Sequence, residues 1–98
     1  MITRIVRMEF QPAHVEDFLE HFRGVAQHIR QFPGVRHLEL HRDAGKPNVF
    51  YTYSKWEGEN ELEAYRRSDL FRGAWSQAKM WFEEKPQAFS LLQELVLD

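Results

Sequence analysis

Asn48–Phe71 reads NVFYTYSKWEGENELEAYRRSDLF, and this stretch decides the fold. Val49–Trp56 is aromatic and β-branched, which predicts a strand. A short polar turn follows, and from about Glu59 the pattern changes to helical spacing, carrying Tyr65 toward Ser68-Asp69-Leu70-Phe71. The stretch holds no strong nucleophile, metal-ligand cluster or phosphate loop. Its aromatics are dense enough to wall a cavity, which points to an apolar or aromatic small molecule.

Working outward, Ile2–Phe10 alternates as a first strand, with Arg4, Val6, Met8 and Phe10 on one face and Thr3, Ile5, Arg7 and Glu9 on the other. Pro12 suits the first turn of a helix, whose apolar stripe is Val15, Phe18, Phe22, Val25 and Ile29. Pro33-Gly34 ends that helix, and Val35–Arg42 alternates as a second strand. Turn-forming residues 43–48 join it to Val49–Trp56, so the two strands form a hairpin. The second helical region spans 59–82, with a break at Ser68, where the serine caps a new turn and Asp69 favours its N-terminus. Pro86 ends it, and Phe89–Leu97 reads as the last strand. The order is β-α-β-β-α-β: an α+β, ferredoxin-like domain over residues 1–98, a four-stranded antiparallel sheet with its helices on one face.

The more apolar strand positions, Val6, Met8, Phe10, Leu38 and Leu40, are expected beneath the helices. The opposite face then carries Ile5, Arg7, Glu9, Val35, His37, Glu39, His41, Tyr51 and Tyr53. That set is too apolar for a solvated face and too charged for a dry core. It fits a face-to-face homodimer that buries the aliphatic and tyrosine parts and pairs the charges across the interface.

Composition excludes several functions. The 98 residues carry 13 basic and 15 acidic side chains, interspersed, so no basic stripe exists to follow a nucleic acid backbone. No apolar run approaches the ~20 residues that span a bilayer. The absence of cysteine excludes disulfides, thiolate nucleophiles and zinc–sulfur sites. The alternating start does not read as a signal peptide, so a cytoplasmic protein is expected.

Five histidines make metal binding worth testing. His14, His21 and His28 fall at heptad spacing, which separates neighbours by ~10 Å along a helix, too far to share one ion. His37 and His41 lie ~13 Å apart along a strand. No metal site is expected. None of the four serines sits in a nucleophile elbow, and no dinucleotide or P-loop glycine pattern occurs, so no cofactor is expected. The aromatic set remains. Most aromatics at helical spacing are plain core, but Tyr65 and Trp75 carry polar atoms that need partners when buried. With Thr52 they suit a pocket for a planar ligand, whose wall would be Val6, Met8, Phe18, Phe22, Phe50, Thr52, Trp56 and Phe71. A void beside Trp75 separates such a pocket, in an enzyme or in a non-catalytic binding protein, from the filled core of a structural or regulatory dimer.

Several segments carry a family resemblance. They are the opening I-x-R-I-V-R-x-x-F strand, Phe32-Pro33-Gly34-Val35, and Asn48-Val-Phe-x-x-Tyr-Ser-x-Trp. Glu63-Ala-Tyr-Arg-x-Ser-Asp-Leu-Phe and Lys85-Pro-Gln-Ala-Phe complete the set. Over nearly its whole length the chain resembles the antibiotic biosynthesis monooxygenase family. The resemblance implies a dimeric α+β barrel, a pocket between helices and sheet in each subunit, and oxygenation of an electron-rich small molecule without a cofactor. On that pattern Tyr65 and Trp75 are candidate catalytic donors, and His14 or His21 takes a proton at the pocket rim. The heme-degrading branch of the family uses an asparagine, a tryptophan and a heme-ligating histidine. Aligned on Ser68–Phe71, this chain has Val6, Tyr65 and Trp75 at those positions, which disfavours heme breakdown.

Overall fold

A computed structural model describes residues 1–98. Strand β1 (Ile2–Glu9) leads through a short 3-10 turn at Pro12–His14 into helix α1 (Val15–Arg30). Strands β2 (Val35–Arg42) and β3 (Val49–Trp56) form the hairpin, followed by helices α2 (Glu59–Arg66) and α3 (Asp69–Lys79) and strand β4 (Gln87–Leu92). The sheet is antiparallel in the order β2-β3-β1-β4, the ferredoxin-like arrangement. No helix is long and apolar enough to cross a membrane.

The break in the second helical region falls where the sequence marks it. Ser68 is extended, and its hydroxyl accepts a hydrogen bond from the Phe71 N–H at 3.1 Å while donating to the Tyr65 carbonyl at 2.6 Å. The serine thus closes α2 and opens α3 on a new axis. Helix α3 ends at Lys79, earlier than the apolar stripe to Phe82 suggested. Beyond it the chain turns back to the sheet: the Gln11 N–H donates to the Trp81 carbonyl, and Phe10 and Phe82 form an isolated bridge.

Two expectations are corrected. Val35 was placed on the outer face with His37, but a β-bulge lies between them. Val35 opposes Trp56 and His37 opposes Lys55, so the extra residue, Arg36, reverses the side-chain alternation. Val35 is therefore buried, at 6% exposure, under the helices. The last strand was expected over Phe89–Leu97 and instead covers Gln87–Leu92. Leu92 already opposes Ile2 at the start of β1, which leaves later residues no strand to pair with.

Most of the buried apolar side chains form two clusters. At one end of β1, Met8 and Phe10 pack with Phe18 of α1, Phe50 of β3 and Ala78 of α3. Phe10 and Phe18 stack with ring centres 4.1 Å apart. At the other end, Ile2 packs with Val35, Trp56 and Leu62. The middle of β1, at Arg4 and Val6, belongs to neither buried set.

Gly34 sets the turn from α1 into β2. Its φ of +94° suits glycine, and an added Cβ would lie 2.5 Å from Cβ and Cγ of Glu61. Gly24, inside α1, has open space at that position. In urea unfolding, Gly34→Ala should cost at least about 1 kcal/mol. Gly24→Ala should stabilise by about 0.5–1 kcal/mol. Equal effects would show that the turn at Gly34 is not constrained.

Candidate functional site

Between the two clusters lies a cavity of about 330 Å³, within the range of small-molecule sites. Val6, Met8, Thr52 and Trp56 reach it from the sheet, Phe18 and Phe22 from α1, and Tyr65, Phe71 and Trp75 from α2 and α3. The alternation of β1 and β3 gives the floor: Val6 opposes Thr52, and both project to the helix-bearing side.

Most of the expected pocket residues are thus brought together, with two exceptions. Phe50 is outside the wall. It is closed into the first cluster against Phe10 and Phe18, with the Arg42 guanidinium 4.8 Å from its ring centre. His14 also lies outside. Its Nδ1 is 2.9 Å from Asp17 Oδ2, and its ring stacks on Trp81 at 6.3 Å. One turn of the 3-10 segment before α1 moves His14 off the stripe that faces the cavity.

His21 does line the cavity. Its Nε2 is 3.0 Å from the Ala74 carbonyl on α3, which can only accept. The neutral ring therefore carries its proton on Nε2 and leaves Nδ1 as a proton acceptor. Trp75 stacks on Phe71, with centres 5.7 Å apart, and meets the edge of Phe82, yet its side chain still borders open space. The structure thus has open space beside Trp75.

Tyr65 is wedged among Trp56, Phe32 and Phe71, with ring centres 4.9–5.5 Å away. Every fully buried polar side-chain atom has a hydrogen-bond partner. The Tyr65 hydroxyl has none in the protein, so it is not fully buried, and the residue lines the cavity. Burial pushes its pKa up to about 12. It is a hydrogen-bond donor near neutral pH and a poor source of phenolate.

Eleven further residues line the cavity, and two of them are cations, Arg4 of β1 and Arg66 of α2. Arg4 was visible as the one charge in the row Ile2, Arg4, Val6, Met8, Phe10. Arg66 carried no such signal, because an arginine in the last turn of a helix is ordinary.

The outer sheet face holds a separate polar network. His37 and His41 both bond to Glu39 between them, bringing together two rings that the strand spacing holds apart. The imidazoles of His37 and then His41 hold the Glu39 carboxyl below its usual range. Arg7 pairs with Glu9 at 3.2 Å, and the Tyr51 hydroxyl donates to Asp43 at 3.1 Å.

Residues 1–76 match the antibiotic biosynthesis monooxygenase family. The chain belongs to that family. A solved antibiotic biosynthesis monooxygenase superposes with a TM-score of 0.91 at 16% identity, covering 97% of this chain and all of its own. A protein assigned to the same family from Nitrosomonas europaea gives 0.88 at 17% identity, covering 95% of this chain and 98% of its own. One from Bordetella bronchiseptica gives 0.85 at 22%, covering 96% and 97%. At such identities these antibiotic biosynthesis monooxygenase neighbours show the shared fold alone. No curated protein matches the chain.

The Tyr65 shift has a sign that can be measured in this family member. Its hydroxyl titrates near 10 when unfolded and about 12 when folded, so the unfolded chain loses that proton first as pH rises. The stability conferred by keeping the hydroxyl neutral is present below pH 10 and is lost between about pH 10 and 12. Unfolding free energies from urea titrations across that window should fall more steeply for the wild type than for Tyr65→Phe, by about 2.7 kcal/mol at most. Parallel curves would mean that the hydroxyl is solvated.

Proposed function

We propose that this protein is a cofactor-independent monooxygenase acting on an electron-rich aromatic molecule. The observation that carries the reading is the cavity between the two clusters, mostly apolar in its walls and lined also by Tyr65, Trp75 and His21, whose Nε2 is held by the Ala74 carbonyl.

In such a reaction the substrate supplies all the electrons. A phenol gives up its proton, and the phenolate transfers one electron to molecular oxygen. The resulting phenoxyl radical and superoxide join at the ring carbon para to the oxygen. Cleavage of the O–O bond, with loss of the ring hydrogen, leaves a quinone and one water. One phenol and one O₂ thus give one quinone and one H₂O. The protein's part is to bind, orient and exclude water. His21 Nδ1 takes the phenol proton. Tyr65 and Trp75 donate hydrogen bonds to the developing anion, and Thr52 offers a hydroxyl on the floor. Apolar side chains from α1 and α3 keep bulk water from the radical pair.

The protein acts as a homodimer through the outer sheet face, with Arg7, Glu9, His37, Glu39, His41, Tyr51 and Tyr53 at the contact. The apolar side chains on that face support this reading. Ile5 lies opposite Tyr53 on one side and Phe89 on the other, and Phe89 and Leu91 are half exposed in the single chain. A second copy is the partner that offers the same patch in return.

Oxygen uptake with a panel of phenols and hydroquinones tests the activity. His21→Ala should lower kcat by about 10²-fold or more, Tyr65→Phe and Trp75→Phe by smaller factors, and His14→Ala should have little effect. Turnover indifferent to changes at His21, Tyr65 and Trp75 would rule out this site. Ligands that raise the melting temperature without oxygen uptake would identify a binding protein instead. Light scattering should return twice the chain mass, and a monomer at micromolar concentration would exclude the dimer.

A further inference from the structure

Arg4 sits in the middle of β1 on the helix-bearing side, in a row otherwise made of Ile2, Val6, Met8 and Phe10. Its strand neighbours are Ser54 on β3 and Ser90 on β4, and no carboxylate lies opposite. One guanidinium nitrogen donates to Ser90 Oγ at 2.8 Å. That is its one side-chain partner, and no acidic group lies within ion-pair distance. A guanidinium has five N–H donors in a planar fork, so most of this one is unspent.

Arg66, the residue after Tyr65, is the second cation on the cavity wall. Its ion-pair partner is Glu63, 3.5 Å away and half exposed, which also reaches Arg67 at 3.4 Å. One solvated carboxylate is thus shared between two arginines on α2 and leaves Arg4 unmatched. Burial, and after it the charge of Arg66, lowers the pKa of Arg4, while Glu63 acts the other way. Holding a cation on an apolar strand face beside another cation costs free energy, which a bound anion would offset.

We infer that the cavity takes an amphiphilic anion, an aromatic carboxylic acid whose carboxylate is gripped by Arg4 and Arg66 and whose rings lie among the aromatic side chains. This rests on the reading of the cavity as a ligand site and adds the charge of the ligand. A planar carboxylate matches the guanidinium fork by two parallel hydrogen bonds. A phosphate ester fits less well, because the wall includes no glycine loop to present backbone N–H groups. A cavity of about 330 Å³ holds one or two fused rings with their acid group. A hydroxyaryl acid would satisfy both halves of the site, its acid for binding and its phenol for oxidation.

The test compares isosteric pairs, benzoate with benzamide and naphthoate with naphthamide, by titration calorimetry on the intact protein. At least one acid should bind about tenfold or more tightly than its amide at neutral pH. Raising salt from about 0.05 to 0.5 M should weaken the acid and spare the amide. Arg66→Gln, at an exposed position, should remove much of the preference, and Arg4→Gln the rest. Both variants should lose several-fold less affinity for the amide than for the acid. Equal affinity for acid and amide in the wild type would overturn this inference while leaving the cavity as a ligand site. A preference that survives both substitutions would place the anion elsewhere and overturn it as well. Binding of neither member of either pair would overturn the inference and the ligand-site reading together.

Discussion

Burial at the two ends of β1 holds the middle of that strand away from the helices, and the rest of the molecule follows from this spacing. At one end Phe10 and Phe18 stack against Phe50, and at the other Trp56 and Leu62 close over Ile2 and Val35. Each cluster is small, and together they anchor α1, α2 and α3 over one sheet face. Side chains between them would have to be larger, or the helices nearer, to fill the gap. Arg4, Val6 and Thr52 leave it open. An empty apolar space lowers stability in proportion to its size, and in a chain of 98 residues that cost is considerable. A ligand that fills the space returns part of it by mass action.

The break at Ser68 serves the same geometry. Had 59–82 formed one straight helix, Tyr65 and Trp75 would have followed a single axis. Because Ser68 ends one hydrogen-bond ladder and begins another, α2 covers the Trp56 end of the sheet while α3 packs beside α1. Tyr65 and Trp75 therefore reach one cavity from different helices. A change of direction, set by one hydroxyl, brings two polar aromatic groups to the same space.

Much of this was legible in the sequence, and the failures have specific causes. Period-two alternation gave β1, β2 and β3 almost to the residue, because each carries its more apolar side chains toward the helices. It failed at Val35, where a bulge inserts Arg36 and reverses the parity. Bulges leave little trace in a pattern of alternating side chains. It failed again after Leu92, because Leu95, Val96 and Leu97 look like strand residues yet have no neighbour to bond to. The aromatic wall was readable from spacing, but spacing could not separate Phe50, sealed in the core, from Phe22, on the cavity. That difference depends on how the helices splay. Arg4 was assigned to the correct face and passed over, since alternation records a charge among apolar residues without showing which groups lie opposite.

Strand β4 forms one margin of the sheet, and all six of its residues are exposed. Gln87-Ala88-Phe89-Ser90-Leu91-Leu92 contains no charge and no proline, and Pro86 lies just before it. Proteins commonly blunt such a margin with lysine, proline or a bulge. Here a row of free backbone donors and acceptors is flanked by apolar side chains, the arrangement that nucleates cross-β stacking when left uncovered. The colloidal behaviour of the protein therefore rests on this strand. A partner strand laid along β4 would satisfy those groups and extend the sheet by one strand.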